Sequence, residues 1–246
     1  MSEIRDGVFS LYIGALLVAT MPPVWLAIVV LPSGRLSHRL VRLWARFIVQ
    51  ASGCALHVSG TERLRGLHAV MLVSNHISYI DSIVLMAVVP VDFRFVAEHG
   101  VLTWPLIGTG LRKSGHLTVD RGSRAARLAC AGEMVDVLRR GRSLLVYPEG
   151  RRSRREGLLP FHLGAFRAAV DAGRPIVPIA IRGTDAIVAP DRRRVHRGSI
   201  DVTIHEPIAP EGLDRSEMVR IRQRARLEIA WSLGEPDRHR GAKPPA

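Results

Sequence analysis

The residues with the clearest chemical potential lie in the run Asn75-His76-Ile77-Ser78-Tyr79-Ile80-Asp81, directly after a β-like stretch at 70–74. A histidine at the carboxyl end of a strand, with an aspartate five residues on across a strand-to-helix turn, lets the carboxylate meet one ring nitrogen. The other nitrogen is then free to take a proton from an alcohol as that alcohol attacks a carbonyl, while the aspartate fixes the tautomer and stabilises the imidazolium. Spacing alone fits a purely structural pair equally well. What distinguishes the run is its company: Val146-Tyr147-Pro148-Glu149-Gly150-Arg151-Arg152-Ser153-Arg154 follows a second β-like stretch at 143–147, so two loops are expected to open on one edge of a sheet.

Competing machinery is scarce. The chain contains no GxSxG nucleophile elbow, and Cys54 and Cys130 neither form a CxxC nor neighbour His76. His57, His68, His99, His196 and His205 lack ligand-like spacing, so no metal centre is expected. The 246 residues hold 35 Lys plus Arg against 22 Asp plus Glu, a formal charge of +13, which calls for an anionic partner. Acidic lipid headgroups, phosphorylated small molecules and nucleic acid all satisfy that charge. Aromatics at 5% leave few stacking platforms, and RRM, helix-turn-helix and zinc-finger patterns are missing, so nucleic acid is not expected.

Taken together, NHISYID, GHLTVDRG at 115–122, the VYPEGRRSR run and IVPIAIRG at 176–183 resemble, in order and spacing, the four sequence blocks of the glycerolipid acyltransferase family, of the 1-acyl-glycerol-3-phosphate acyltransferase type. The resemblance implies direct transfer of a fatty acyl chain from an acyl thioester, coenzyme A or acyl carrier protein, to a free hydroxyl of a lysophospholipid. It implies no cofactor beyond that thioester and no covalent acyl-enzyme. His76 is implied as general base and Asp81 as the group that orients and charge-balances it. The acceptor carries a phosphate, which a guanidinium fork matches; the family's pattern puts Arg121 and Arg152 there, with Glu149 and Gly150 shaping the turn. Arg151 stands where the family usually has threonine, which leaves open whether Arg151 or Arg152 reaches the phosphate, and His162 stands where relatives commonly have lysine. The dyad suits any alcohol, so another lyso-lipid such as lyso-ornithine lipid is an alternative acceptor. A basic, membrane-tethered binding protein without turnover is the alternative from another class.

The elements that must position these residues follow from periodicity. β-like runs at 69–74, 93–97, 116–119, 143–147, 176–181 and 200–205 alternate with helical stretches at 78–89, 123–140, 163–172 and 215–233, which predicts an α/β fold with a mostly parallel sheet flanked by helices. Ser78 is expected to cap the helix that follows it. Residues 7–34 carry no charge and are long enough to cross a bilayer, but Pro22 and Pro23 in their middle predict a break into two short helices, read as a kinked span or a hairpin dipping into one leaflet. The stretch 35–50 reads as an interfacial amphipathic helix whose basic face, including His38, Arg39, Arg42 and Arg46, meets anionic headgroups on the cytoplasmic side of a plasma membrane. Residues 1–50 thus form a membrane-associated helical segment, 51–233 an acyltransferase domain, and 234–246 a disordered tail.

Overall fold

The structure is a computed structural model and describes residues 2–120, 122–153, 157–188 and 195–234. Strands β1 (Ala55–Ser59), β2 (Met71–Ser74), β3 (Phe93–Glu98), β4 (Leu117–Val119), β5 (Ser143–Val146), β6 (Ile176–Arg182) and β7 (Ser199–Ile204) form one seven-stranded sheet in the order β1-β7-β6-β2-β5-β3-β4. Neighbours run parallel throughout, except that β7 runs antiparallel to β6. The central strands read as continuous apolar runs because helices cover them on both faces.

Among the described residues eight α-helices accompany this sheet: α1 (Ser2–Val30), α2 (Arg35–Ala51), α3 (Asp81–Val88), α4 (Pro105–Lys113), α5 (Arg124–Arg139), α6 (Gly164–Ala172), α7 (Thr184–Ile187) and α8 (Arg215–Leu233). The pleat of β2 sorts its side chains between two cores. Met71 and Val73 pack with Leu138 of α5, Phe166 of α6 and Ile221 of α8, whereas Val70 and Leu72 pack with Ala45 of α2 and Leu85 of α3. This topology creates a switch point. From β2 the chain crosses through α3 to β3, two places along the sheet, and from β5 it crosses through α6, on the other face, to β6, two places in the opposite direction. The connections after the adjacent strands β2 and β5 therefore leave toward opposite faces of the sheet, the arrangement that places a crevice at the carboxyl ends of such strands.

Two elements lie outside the sequence expectation. Strand β1 carries only a weak alternation, and its identity comes from main-chain pairing with β7. Helix α4 contains Gly108 and Gly110, residues that read as helix breakers. Gly108 is needed there because a Cβ would fall 2.1 Å from the Leu102 carbonyl oxygen, so only glycine lets the helix press on the turn before it.

The predicted break at Pro22 and Pro23 is not found, since α1 runs as one helix through both. The prolines remove two main-chain bonds, and packing against α2 along the length of α1 supplies the compensation. Tyr12 donates to the Ala51 carbonyl (2.8 Å), the Trp44 indole to the Thr20 hydroxyl (3.1 Å), and Lys113 caps the far end on the Val29 (2.5 Å) and Leu31 (2.8 Å) carbonyls. At the near end Asp6 meets His196 at 3.2 Å and the Ser10 hydroxyl accepts from the Val195 N–H at 2.8 Å. The hairpin is thus the antiparallel pair α1 and α2, and its turn falls at Ser33 and Gly34.

Helix α2 corrects a second expectation in part, because His38 and Arg42 of its basic face are buried in the protein while Arg39 and Arg46 stay exposed. The Arg42 guanidinium donates to the carbonyls of Val89 and of Val91 (2.6 Å for the latter), and Arg46 donates to Ala87 O at 3.1 Å, so both cap the carboxyl end of α3. His38 is buried, with Nε2 3.0 Å from an Asp92 carboxylate oxygen. The side chains left outward on α2 include Leu36, Leu43 and Phe47, beside Arg35 and Arg39. Amphipathic periodicity defines two faces of a helix; which one turns inward is decided by the acceptors that α3 offers.

Behind this contact His116 packs against His38 and Phe95, with ring centroids 5.7 and 5.6 Å away, and its Nδ1 accepts from the Phe95 N–H at 2.8 Å. Removal from water, then the neighbouring His38 and Arg94 charges, push its pKa down to about 3. The unfolded chain binds this proton near pH 6.5 and the native state does not, so stability is fully present above pH 6.5 and declines as pH falls toward 3. The loss contributed by this one group approaches about 1.4 kcal/mol per pH unit. Denaturant midpoints measured between pH 7 and 4 should fall more steeply for the wild type than for His116→Gln, which keeps an acceptor without the titration; equal slopes would exclude His116 as the source.

Candidate active site

The chain leaves β2 at Ser74 and is pinned at once by Asn75, whose side chain reaches across β6: its amide donates to Ile181 O at 2.8 Å and its carbonyl accepts from Ile181 N at 2.9 Å. Held between the loops after β2 and β5, His76 has its own N–H on Glu149 Oε1 (2.7 Å) and its carbonyl on the Ser153 N–H (2.8 Å). The other Glu149 oxygen accepts from Leu159 N at 2.9 Å. Glu149 is therefore a buried brace that ties the two loops together. Gly150 closes the turn with φ +74, where side chains are disfavoured, and a Cβ would stand 3.0 Å from the His162 ring.

The imidazole of His76 sits face to face with Tyr147, the centroids 4.0 Å apart and the planes 14° from parallel. Tyr147 is fixed in turn by a 3.0 Å hydrogen bond between its hydroxyl and that of Ser82. Burial, with the Asp81 carboxylate nearby, pushes this phenol well above its ordinary pKa, so it remains neutral. His76 Nδ1 lies 2.8 Å from Asp81 Oδ2, and the same oxygen accepts from the main-chain N–H groups of Ile77 and Ser78, both at 2.8 Å. With Asp81 fully buried and accepting, Nδ1 is the protonated ring nitrogen and Nε2 carries the lone pair. Nε2 has no partner among the described residues, and the His76 side chain is 19% exposed. A base of this kind can accept a proton from a group that arrives through the crevice.

Several sequence expectations can be placed against this geometry. Ser78 makes no side-chain cap; its hydroxyl points at Val188 O (3.4 Å), and α3 starts without a side-chain cap bond. The guanidinium of Arg152 lies over the ring of Tyr79, its central carbon 3.3 Å from the ring centroid, a cation–π contact. Arg151 is exposed on the same turn. Arg121 lies outside the described residues; β4, which precedes it, ends on the same sheet edge. Arg192, Arg193, Arg194 and the tail from 235 also lie outside them. Sequence reasoning missed Asn75, Tyr147 and Thr184 as parts of the site. Thr184, after β6, donates its hydroxyl to Asp81 Oδ1 at 2.5 Å, and no local pattern links it to a residue 103 positions earlier.

Fold and candidate site together define a doubly wound α/β protein whose crevice opens at a strand switch point and presents a histidine held by a buried carboxylate. Comparison with known proteins narrows this class. Residues 55–182, just over half of the chain, match the family model described as Acyltransferase. The lyso-ornithine lipid O-acyltransferase of Pseudomonas aeruginosa is 33% identical over 223 residues, covering 84% of each chain. The 1-acyl-sn-glycerol-3-phosphate acyltransferase of Escherichia coli is 29% identical over 167 residues, 68% of this chain and 67% of the other. The crystal structure of the 1-acyl-sn-glycerophosphate (LPA) acyltransferase PlsC from Thermotoga maritima superposes with a TM-score of 0.78 over 99% of this chain and 100% of that one, at 21% identity. The chain belongs to the acyltransferase family and is an O-acyltransferase. The reading as a binding protein without turnover is thereby set aside.

Proposed function

We propose that the protein acylates lysophosphatidate at its free hydroxyl with an acyl group from coenzyme A or acyl carrier protein, with His76 as general base and Asp81 as its charge partner. The observation that carries this reading is the held ring of His76: Nδ1 is committed to a buried carboxylate, while Nε2 has no partner among the described residues and the side chain is 19% exposed. Nε2 takes the acceptor's hydroxyl proton as that oxygen forms its bond to the thioester carbonyl carbon. The tetrahedral intermediate collapses with cleavage of the carbon–sulfur bond, and the imidazolium returns the proton to the departing thiolate. Asp81 stabilises the imidazolium between these steps. No separate nucleophile is required.

The outward face of the hairpin supports placement at a membrane. Helix α1 is long and apolar enough to cross a bilayer, yet it is tied to the folded domain at both ends, and Ile4, Val8, Leu11, Val18 and Leu26 stay exposed along it. With the outward apolar residues of α2 this surface is suited to lie in one leaflet, on the cytoplasmic side where thioester donors are found, with Arg35 and Arg39 at headgroup level. The lyso-lipid then enters the crevice without leaving the leaflet.

For the acceptor phosphate, Arg152 offers a guanidinium already placed over Tyr79. Arg152→Ala should raise the apparent KM for lysophosphatidate about 10-fold or more, with kcat changed much less; an unchanged KM would move the contact to Arg151 or Arg121. Lyso-ornithine lipid is the second acceptor to consider, because the Pseudomonas relative is named for it and a guanidinium pairs with a carboxylate as readily as with a phosphate. The deciding experiment incubates detergent-solubilised protein with labelled acyl-CoA or acyl carrier protein and a panel of lysophosphatidate, other lysophospholipids and lyso-ornithine lipid. Labelled phosphatidate is the expected product. Label only on another lipid reassigns the acceptor, and label on none overturns the proposal.

A further inference from the structure

Asp81 is fully buried, and its two oxygens are served unequally. Oδ2 receives three donors, the His76 Nδ1–H and the Ile77 and Ser78 N–H groups, all at 2.8 Å. Among the described residues Oδ1 receives one, the Thr184 hydroxyl. Thr184 is itself fully buried and comes from a third segment, the turn after β6, so it holds the dyad from the side opposite the Glu149 brace. Its aim is set by Gly183, which has φ +87 and whose missing Cβ would fall 2.1 Å from Ser199 O; the left-handed turn therefore requires glycine. A β-branched side chain adds a stiff χ1, so the hydroxyl is directed before any substrate arrives.

We infer that Thr184 is a positioning residue of the acyl transfer: by donating to Asp81 Oδ1 it fixes the carboxylate and holds the opposite oxygen on His76 Nδ1. This rests on the proposed base role of His76. Without that donor a buried carboxylate oxygen is left bare, which favours proton uptake by the Asp81 and His76 pair and frees the carboxylate to rotate. The other titratable or charged groups around the pair are few. Tyr147, stacked on His76 from the end of β5, is held neutral; Glu149 is committed to two main-chain N–H groups; Arg152 lies beyond, on Tyr79.

The test compares Thr184→Val, which replaces the hydroxyl with a methyl of like shape, with Thr184→Ser, which keeps the donor, both in the full-length detergent-solubilised protein. Thr184→Val should lower kcat about 10-fold with the KM for lysophosphatidate unchanged within about twofold. The acid limb of its pH–rate profile should move about half a unit or more to higher pH. Thr184→Ser should restore the limb and most of the rate. A residue that served packing alone would lower the thermal midpoint in both variants and leave the limb where it was, and that result overturns the inference. The two levels fail separately: if His76→Ala keeps its rate, the base assignment falls, whereas if His76→Ala is inactive and Thr184→Val matches the wild type in kcat and limb, only the role of Thr184 falls.

Discussion

Replacing His76 with alanine should lower acyl transfer about 100-fold to 10,000-fold, the usual contribution of a positioned base, while the fold persists. Persistence is expected because the polar contacts that lock this segment are made by the His76 main chain, through its N–H to Glu149 and its carbonyl to Ser153. The side chain contributes one ring stacked on Tyr147 and one bond to Asp81, and it borders the open crevice, so its loss leaves no sealed cavity. The measurement is single-turnover transfer from labelled thioester to lysophosphatidate, with the circular dichroism and thermal midpoint recorded on the same preparations. Transfer near the wild-type rate in a folded variant would remove His76 from the chemistry.

The second large effect belongs to Asp81→Asn, and the structure dictates how the amide sits. Three donors converge where Oδ2 lies, so the amide oxygen must occupy that place, and the NH2 group turns to Thr184, whose hydroxyl can reverse and accept. The Nδ1–H tautomer of His76 is therefore retained, and what is lost is the negative charge that stabilises the imidazolium. A fall of about 100-fold in kcat is expected, with the acceptor KM little changed, against a larger destabilisation for Asp81→Ala, which strands four donors in the interior. A variant as active as the wild type would show that the charge of Asp81 plays no part in the transfer.

The dyad was legible in the sequence because its members lie five residues apart across one strand-to-helix turn, a distance over which chain geometry alone brings them together. The partners that make it rigid were not. Thr184 is separated from Asp81 by four strands, and a lone threonine after a glycine has no local signature. Tyr147 stood in the quoted run, but its stacking on His76 depends on β2 and β5 being neighbours, which alternation of elements does not specify. The same limit explains α2. Its two faces are plain in the spacing, yet the inward turn of Arg42 and His38 depends on the carbonyls at the end of α3 and on Asp92, which the chain brings there from 47 to 54 positions away. Pro22 and Pro23 were over-weighted for a related reason: an isolated helix breaks at paired prolines, whereas one clamped along its length by α2, Lys113 and the 195–196 turn does not.

One of these contacts reaches beyond architecture. Arg46 bonds the Ala87 carbonyl in the last turn of α3 and Arg42 the Val89 and Val91 carbonyls just beyond it, and the first residue of that same helix is Asp81. The hairpin proposed to face the lipid thus grips one end of the eight-residue helix whose other end carries the carboxylate paired with His76. Cutting away the first 51 residues to obtain a soluble catalytic fragment would unseat that helix, and grafting a foreign anchor in their place would not reseat it. On the proposed reading, the segment that would keep the protein at the lipid surface also holds the Asp81 helix in place, so it is no detachable tether.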